Sequence, residues 1–316
     1  MQGKIIKQIS NDYTVLIDDK EYICKPRGKF RKMNLTPLVG DEVEINNEHY
    51  ILEIKPRKNE LTRPAIANID EAVIITSLKE PDFSSNLLDK LLAIIEFNNI
   101  KPIIIFTKYD LLTQEEKQEI NVYIDYYKKI GYETYMNDEL KQISKIFKNK
   151  VSVFTGQTGA GKSTLLNNLN KKLNLKTDKI SLALGRGKHT TRHTELLEVA
   201  GGLVADTPGF SAIDFKEMTN EDIRDNFVEF NKYRHECPFN DCMHVHESEC
   251  NIRKKVDDGT ILKSRYDNYI KFISRWLYEN NRIIFKNRKW QTKNRKISPS
   301  NWSNSLWYYG WDIYRK

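Results

Sequence analysis

The chain has 316 residues, of which 39% are apolar and 30% charged, and carries a formal net charge of +8. That length accommodates two or three domains with sizeable cores, and the composition excludes a disordered chain. No apolar run reaches the ~18 residues of a membrane-spanning helix, the start lacks the apolar stretch of a signal peptide, and the charge favours a polyanion. A cytoplasmic protein that meets nucleic acid is therefore expected.

Residues 15–17, 22–24, 43–45 and 50–52 read as short strands, separated by Asp18-Asp19, Pro26 with Gly28, Gly40-Asp41 and Asn46-Asn47. Such a run predicts a small barrel of the oligonucleotide-binding type. Lys25, Arg27, Lys29, Arg31 and Lys32 surround Phe30, a pattern that suits phosphate contact with base stacking and equally an ordinary charged loop. Between residues 70 and 210 the character changes. Ala72–Thr76 and Pro102–Phe106 are continuous apolar runs, as buried parallel strands require. Leu87-Leu88, Leu91-Leu92 and Ile94-Ile95 lie between them at helical spacing, and residues 113–129 are polar with the same period. Val151–Thr155 reads as a strand, Lys162–Leu169 as a helix, and Leu196–Val199 and Leu203–Ala205 as strands joined by Gly201-Gly202. Strands alternating with helices predict an α/β sheet with right-handed crossovers. Residues 219–275 look mostly helical around a cysteine-bearing insert.

Gly156-Gln157-Thr158-Gly159-Ala160-Gly161-Lys162-Ser163, followed by Thr164, fits the phosphate-loop pattern G-x-x-x-x-G-K-S. Its glycines let backbone N–H groups face phosphate oxygens, Lys162 reaches the β- and γ-phosphates, Ser163 offers a hydroxyl to Mg²⁺, and the helix start faces the anion. In Asp206-Thr207-Pro208-Gly209 the aspartate suits a water-mediated hold on Mg²⁺ and the Gly209 N–H suits the γ-phosphate. Thr107-Lys108-Tyr109-Asp110 ends a strand, and an aspartate there accepts both N1–H and the N2 amine of guanine, a donor pair that adenine lacks. GTP, rather than ATP, is the expected nucleotide. Gly185–His193 is the expected mobile loop, with Thr191 as the preferred Mg²⁺ ligand and Thr190 as the alternative. His189 is a candidate catalytic group, its other reading being an exposed loop residue, as for His193. The order of base motif, phosphate loop, mobile loop and DTPG is a circular permutation, in which both switch elements run directly into the C-terminal region. Phe210 stands where many GTPases place a water-orienting glutamine, so slow intrinsic hydrolysis is expected.

Cys237-x4-Cys242-x-His244-x5-Cys250 offers three thiolates and one imidazole, a closed tetrahedral set for one structural zinc ion, with His246 as a substitute for His244. Cys24 stands apart and reads as a barrel core residue.

Together these features resemble the ribosome small-subunit-dependent GTPase A family. The pieces that carry the resemblance are RGKFRK, PLVGDEV, NELTRPAIANIDEAVIITSLKEPDFS, LLDKLL, FTKYDLL, GQTGAGKSTLLNNL, GRGKHTTRHTEL, ADTPGFS, CPFNDCMHVHESEC and SRYDNYIKF, spanning residues 1 to about 274. The resemblance implies a multidomain α/β protein. Its parts are an N-terminal oligonucleotide-binding barrel (1–62), a circularly permuted phosphate-loop GTPase domain (63–216) and a C-terminal helical zinc-binding domain (217–275). It implies guanine contacts from Thr107 to Asp110, phosphate contacts from Gly156 to Thr164, and zinc on Cys237, Cys242, His244 and Cys250. It also implies GTP hydrolysis during late maturation of the small ribosomal subunit, stimulated by that subunit, with binding to its rRNA. Nothing in the sequence suggests an oligomer, so a monomer is expected.

Two features depart from the family pattern. A second guanine-contacting loop is not identifiable near Tyr132–Asp138. All five tryptophans, Trp276, Trp290, Trp302, Trp307 and Trp311, fall in residues 276–316, where no helical or strand period persists. This tail reads either as a frameshifted or read-through end or as an rRNA-binding extension, and is expected to be poorly ordered.

Overall fold

The computed structural model describes residues 1–62, 65–170, 194–206 and 214–274. Met1–Ile273 forms one compact unit. The predicted tail 276–316 lies outside the described residues.

Strands β1 (Gln2–Ile9), β2 (Asp12–Ile17), β3 (Lys20–Pro26), β4 (Glu42–Ile45) and β5 (Tyr50–Ile54) form the N-terminal barrel. They pair in the order β1-β2-β3-β5-β4, and β4 returns antiparallel to β1, which closes the ring. Ile5, Tyr13, Val15, Cys24, Val43, Ile45 and Ile51 point inward and are buried. Cys24 is thus a core residue, as expected. β1 is not legible in the sequence, because Lys4, Lys7 and Gln8 break its apolar pattern. It is held instead by pairing to β2 and β4. Phe30 lies in the single turn α1 (Lys29–Lys32) and is only 4% exposed. Its ring fills the barrel's edge and is not free to stack on a base, while Lys29, Arg31 and Lys32 remain on the surface. A ribbon of β6 (Glu60–Thr62) and β7 (Ala65–Ala67) follows and is bridged to the barrel through Val39 and Ile66.

The second sheet comprises β8 (Glu71–Ser77), β9 (Lys101–Thr107), β10 (Glu133–Met136), β11 (Val151–Gly156), β12 (Thr194–Val199) and β13 (Gly202–Asp206). Its order is β10-β9-β8-β11-β13-β12, parallel throughout except for the β12–β13 hairpin. Alternate residues of one strand serve opposite faces. Ile74, Ile104 and Phe106 pack with Leu88, Leu91, Leu92 and Tyr127, while Val73, Ile75, Ile103 and Ile105 pack with Ile143, Phe147 and Leu165. Burial on both faces explains the unbroken apolar runs. The covering helices are α2 (Ser85–Phe97), α3 (Gln114–Ile130), α4 (Leu140–Ile146) and α5 (Lys162–Leu169). Ser84 caps α2, and Thr113 with Glu116 forms a reciprocal capping box on α3, which ends at Gly131 in the left-handed region. β10 and α4 are short and were not anticipated. No helix among the described residues is long and apolar enough to cross a membrane.

The C-terminal region contains α6 (Asn220–Asp225), α7 (Phe230–Tyr233), α8 (Asn251–Asp257) and a final helix α9 over residues 263–274. It is fastened to α2 and α3 by a buried ionic cluster. Arg265 is 1% exposed. Its guanidinium donates to Asp89 Oδ1 of α2 at 2.6 Å and to Glu229 Oε2 at 3.0 Å. Tyr127 (2.6 Å) and Asn268 (2.7 Å) donate further hydrogen bonds to Asp89, and Tyr126 donates to Glu229 at 3.4 Å. One cation thus serves two buried carboxylates, and neutral donors satisfy the remaining lone pairs. Arg265→Ala would leave both carboxylates unpaired in the interior and is expected to cost ~3–5 kcal/mol of stability, read as a lowered midpoint in urea unfolding. Arg265→Lys, which cannot reproduce the planar fork, is expected to recover only part of that loss.

Candidate nucleotide site and metal centre

Parallel pairing of β8 with both β9 and β11 brings the carboxyl ends of these strands to one edge of the sheet. The phosphate loop leaves β11 at Gly156. There φ is +129°, and a Cβ would lie 2.0 Å from the Ile75 carbonyl oxygen, so only glycine fits. Gly159 and Gly161 also have positive φ, at 80° and 93°, which turns the backbone around into α5. No side chain caps the first turn of α5, leaving its N–H groups for an anion. Lys162 Nζ meanwhile donates to the carbonyls of Gly156 (2.9 Å) and Gln157 (2.6 Å). It has no carboxylate among these partners, and burial alone lowers its pKa to about 8.

Thr107-Lys108-Tyr109-Asp110 emerges from β9 beside this loop. Thr107 Oγ1 donates to the Ala160 carbonyl at 2.8 Å, across 53 residues of sequence. Lys108 adopts the left-handed conformation and reaches the Glu80 carbonyl. Asp110 is exposed at the same edge. Two contributors were not foreseen. The segment between β8 and α2 touches both motifs, since it supplies Glu80 to Lys108 and the Asp82 carbonyl to Gln157 Nε2 at 3.3 Å. The turn Asn137–Glu139 follows β10 at the same edge, tied to β9 by the Asn137 N–H donating to the Phe106 carbonyl at 2.9 Å. It lies at the strand-end edge from which the base motif also emerges, and it carries neither the serine nor the alanine that would mark a second base loop in the sequence. Ser163 is half-buried on α5, and Thr158 and Thr164 are exposed. The backbone of Asp206 ends β13. His189, Thr191 and Gly209 lie outside the described residues.

The Cys237, Cys242, His244 and Cys250 ligand atoms lie within 4.8 Å of one another. His244 Nδ1 is 3.7 Å from Cys237 Sγ and 3.3 Å from Cys250 Sγ, close to the ~3.5–3.8 Å edges of a tetrahedron drawn with zinc bond lengths. His244 is fully buried, and its Nε2 has no partner. The donors therefore fit one metal ion bound through Nδ1. His246 is exposed, which decides between the two histidines. Burial and the neighbouring thiols push Cys242 up, and burial also pushes Cys250 up, while burial lowers His244 to about 4. The loop's shape comes from Glu247, whose carboxylate accepts from the N–H groups of Met243 (2.7 Å), Val245 (2.8 Å) and His246 (3.0 Å). Although burial opposes ionisation of Glu247, these bonds hold its pKa below the usual carboxylate range. Tyr266 and Tyr269 of α9 donate to the carbonyls of His244 and Met243 at 2.7 and 2.5 Å.

Comparison with known proteins gives this arrangement its family. A family model described as RsgA GTPase matches residues 54–216, and one described as RsgA N-terminal domain matches residues 2–50. The chain belongs to the RsgA GTPase family. A relative from Oceanobacillus iheyensis, named small ribosomal subunit biogenesis GTPase RsgA 2, is 48% identical over 281 residues, covering 86% of this chain and 96% of its own. A Bacillus subtilis relative, named small ribosomal subunit biogenesis GTPase RsgA, is 44% identical over 287 residues with the same coverage. Two crystal structures are also similar. One is YloQ, described as a circularly permuted GTPase, with TM-score 0.73 and 39% identity over 87% of this chain and 94% of that one. The other is YjeQ from Thermotoga maritima, with TM-score 0.76 and 32% identity over 87% of this chain and 98% of that one. A model described as 50S ribosome-binding GTPase matches residues 151–284. That match begins at β11 and omits the base motif, as a permuted chain requires. The chain is thus a GTP hydrolase built on a circularly permuted GTPase sheet, with a barrel before it and a Cys₃His cluster after it.

Two outcomes follow from these pKa directions. A triphosphate held against Lys162 is expected to return it to its charged form, so that binding takes up a proton wherever free Lys162 is neutral. GTP affinity is expected to fall by about tenfold per pH unit above pH 8, as measured by equilibrium binding of a fluorescent analogue. Metal loading must deprotonate thiols that burial holds up, so it is expected to release protons, detectable in weakly buffered solution, and Cys250→Ala is expected to abolish stoichiometric binding.

Proposed function

We propose that this chain hydrolyses GTP in late maturation of the small ribosomal subunit, using its barrel and C-terminal region to hold the subunit's rRNA. The observation that carries the nucleotide part is the Thr107–Ala160 hydrogen bond, which joins the base motif to the phosphate loop in one cleft. The small-subunit part is supported by the names of relatives that match nearly end to end, and by a net charge of +8. The working division is a barrel over 1–62, a GTPase region over 63–216, a metal-binding helical region over 217–275 and the tail 276–316.

In this reading Asp110 accepts the guanine N1–H and N2 amine, with Thr107, Lys108 and Tyr109 shaping that edge and Asn137–Glu139 closing it. Backbone N–H groups of Gly156, Gln157, Thr158, Gly159, Ala160, Gly161, Lys162, Ser163 and Thr164 line the phosphate track. On GTP entry Lys162 exchanges its two carbonyl partners for phosphate oxygens, and the Gly209 N–H meets the γ-phosphate. Ser163, Thr191 and Asp206 would hold Mg²⁺, which supplies charge neutralisation between the β- and γ-phosphates. His189 is assigned tentatively to the hydrolytic step, which the small subunit completes, because Phe210 cannot orient water. Cys237, Cys242, His244 and Cys250 would hold zinc. With four protein donors around it, such an ion would act as a crosslink and supply no chemistry of its own. The chain is read as a cytoplasmic monomer.

Turnover of GTP by the purified protein is expected to be slow and to rise many-fold with small ribosomal subunits, with ATP unused; a rate indifferent to subunits would sink the ribosomal reading. Asp110→Asn replaces an acceptor by an amide that faces the guanine N1–H with a donor. It is expected to weaken GTP binding at least about tenfold while admitting xanthosine triphosphate, whose C2 carbonyl accepts from that amide.

A further inference from the structure

We propose that Glu247 is a positioning residue of the metal centre, fixing the backbone on both sides of His244 so that its Nδ1 meets the three thiols. The inference rests on the reading of Cys237, Cys242, His244 and Cys250 as metal ligands. A histidine ligand is ordinarily oriented by a hydrogen bond from its second ring nitrogen to a carboxylate or a carbonyl. His244 makes no such bond: it is fully buried, and Nε2 meets no acceptor among the described residues. The Phe230 ring packs against the imidazole edge to face, with centroids 5.6 Å apart, but offers it no polar acceptor atom. The polar control of the ring therefore lies in the backbone that carries it. His244 sits there in the left-handed region, at φ +60°, a conformation that a residue with a side chain keeps only where its surroundings hold it.

The carbonyls of this loop are taken by the surrounding helices. Tyr269 donates to Met243 at 2.5 Å, Tyr266 to His244 at 2.7 Å and Arg224 Nη1 to Cys242 at 3.4 Å. The N–H groups around His244 converge instead on one carboxylate. Glu247 Oε1 accepts from Met243 at 2.7 Å, and Oε2 accepts from Val245 at 2.8 Å and from His246 at 3.0 Å. Arg253 Nη1 in turn donates to the Glu247 carbonyl at 3.2 Å and ties that residue to α8. The result is a backbone nest closed on an internal anion. With the nest in place, a metal ion collects donors already held within 4.8 Å of one another. Without it, His244 can leave the left-handed region, and the cost of ordering the loop is subtracted from the binding free energy.

Zinc affinity of the full-length protein, measured by competition with a chromophoric chelator, tests this. Glu247→Gln keeps the size of the side chain but turns one acceptor into a donor facing N–H groups, and is expected to weaken zinc at least about tenfold. Glu247→Asp keeps the charge and both acceptors and is expected to lose less. In a His244→Ala chain no imidazole remains to be aimed, and adding Glu247→Gln there is expected to change zinc affinity less than about twofold. Should the amide variant not fold, the same comparison is made with Glu247→Asp. Parental zinc affinity in Glu247→Gln overturns the inference. So does an equal loss with and without His244, which would make Glu247 a general brace of the loop. Failure of the parent chain to bind zinc overturns the metal reading and this inference with it, whereas parental affinity in Glu247→Gln leaves the metal reading standing.

Discussion

Gripping a triphosphate with backbone N–H groups demands a loop that leaves a strand end with almost no side-chain volume, and the whole molecule is arranged around that demand. β11 must deliver Gly156 against the Ile75 carbonyl of β8, at a distance that excludes any Cβ. Such an approach needs a parallel neighbour already in place. β8 fulfils this on one edge and pairs with β9 on the other, so the base motif and the phosphate loop share one sheet edge. Because the sheet fixes the two ends in space, the order in which the chain visits them is free. A permuted connection builds the same cleft as an unpermuted one.

The permutation changes what the cleft is connected to. β8 and α2 lead from the cleft to the buried Arg265 cluster, and α9 carries Arg265, Tyr266 and Tyr269 on to the metal loop. The segment between β8 and α2 also contacts Lys108 and Gln157. A single packed path therefore links the base and phosphate motifs to the Cys₃His cluster without passing through the DTPG segment. A bidentate guanidinium between two buried carboxylates resists small displacements, because partial separation exposes charge to a low-dielectric interior. On the side of α2 the C-terminal region is thus held as one body with the GTPase sheet.

Much of this was legible in the sequence, for reasons that differ between elements. β8 and β9 announced themselves because burial on both faces leaves no polar alternation. The phosphate loop and the Cys₃His spacing did so because their chemistry tolerates few residue types. β1 was hidden by Lys4, Lys7 and Gln8: its polar positions are set by what lies beside it in three dimensions, and one of them faces Glu195. The basic neighbours of Phe30 leave base stacking and an ordinary charged loop equally open in the sequence, and the single turn of α1 decides by carrying the ring into the core. The Asn137–Glu139 turn was missed because its position depends on the Phe106 carbonyl and not on a recognisable motif. Arg265, Asp89 and Glu229 are far apart in sequence, and no local pattern marks charges that meet only through tertiary packing.

The barrel meets the GTPase sheet through a different kind of contact. Its ladder to β12 is two residues long and begins where the segment 171–193 ends. A second tie accompanies it: Ile66 bridges Val39, the Ala67 N–H donates to the Val39 carbonyl at 2.9 Å and Asn68 Nδ2 donates to the Gly40 carbonyl at 3.0 Å, so the segment that leads into β8 is fastened to the barrel as well. The two flanking regions are therefore joined to the sheet in different ways: a buried ion cluster holds the metal-binding helices, and backbone pairing with polar bonds nearer the surface holds the barrel. In the proposed cycle, gripping RNA in one state and leaving it in another needs one region to move relative to the other. Separating a buried ion cluster costs more than rearranging partly exposed polar bonds, so in that cycle the barrel side is where movement is expected.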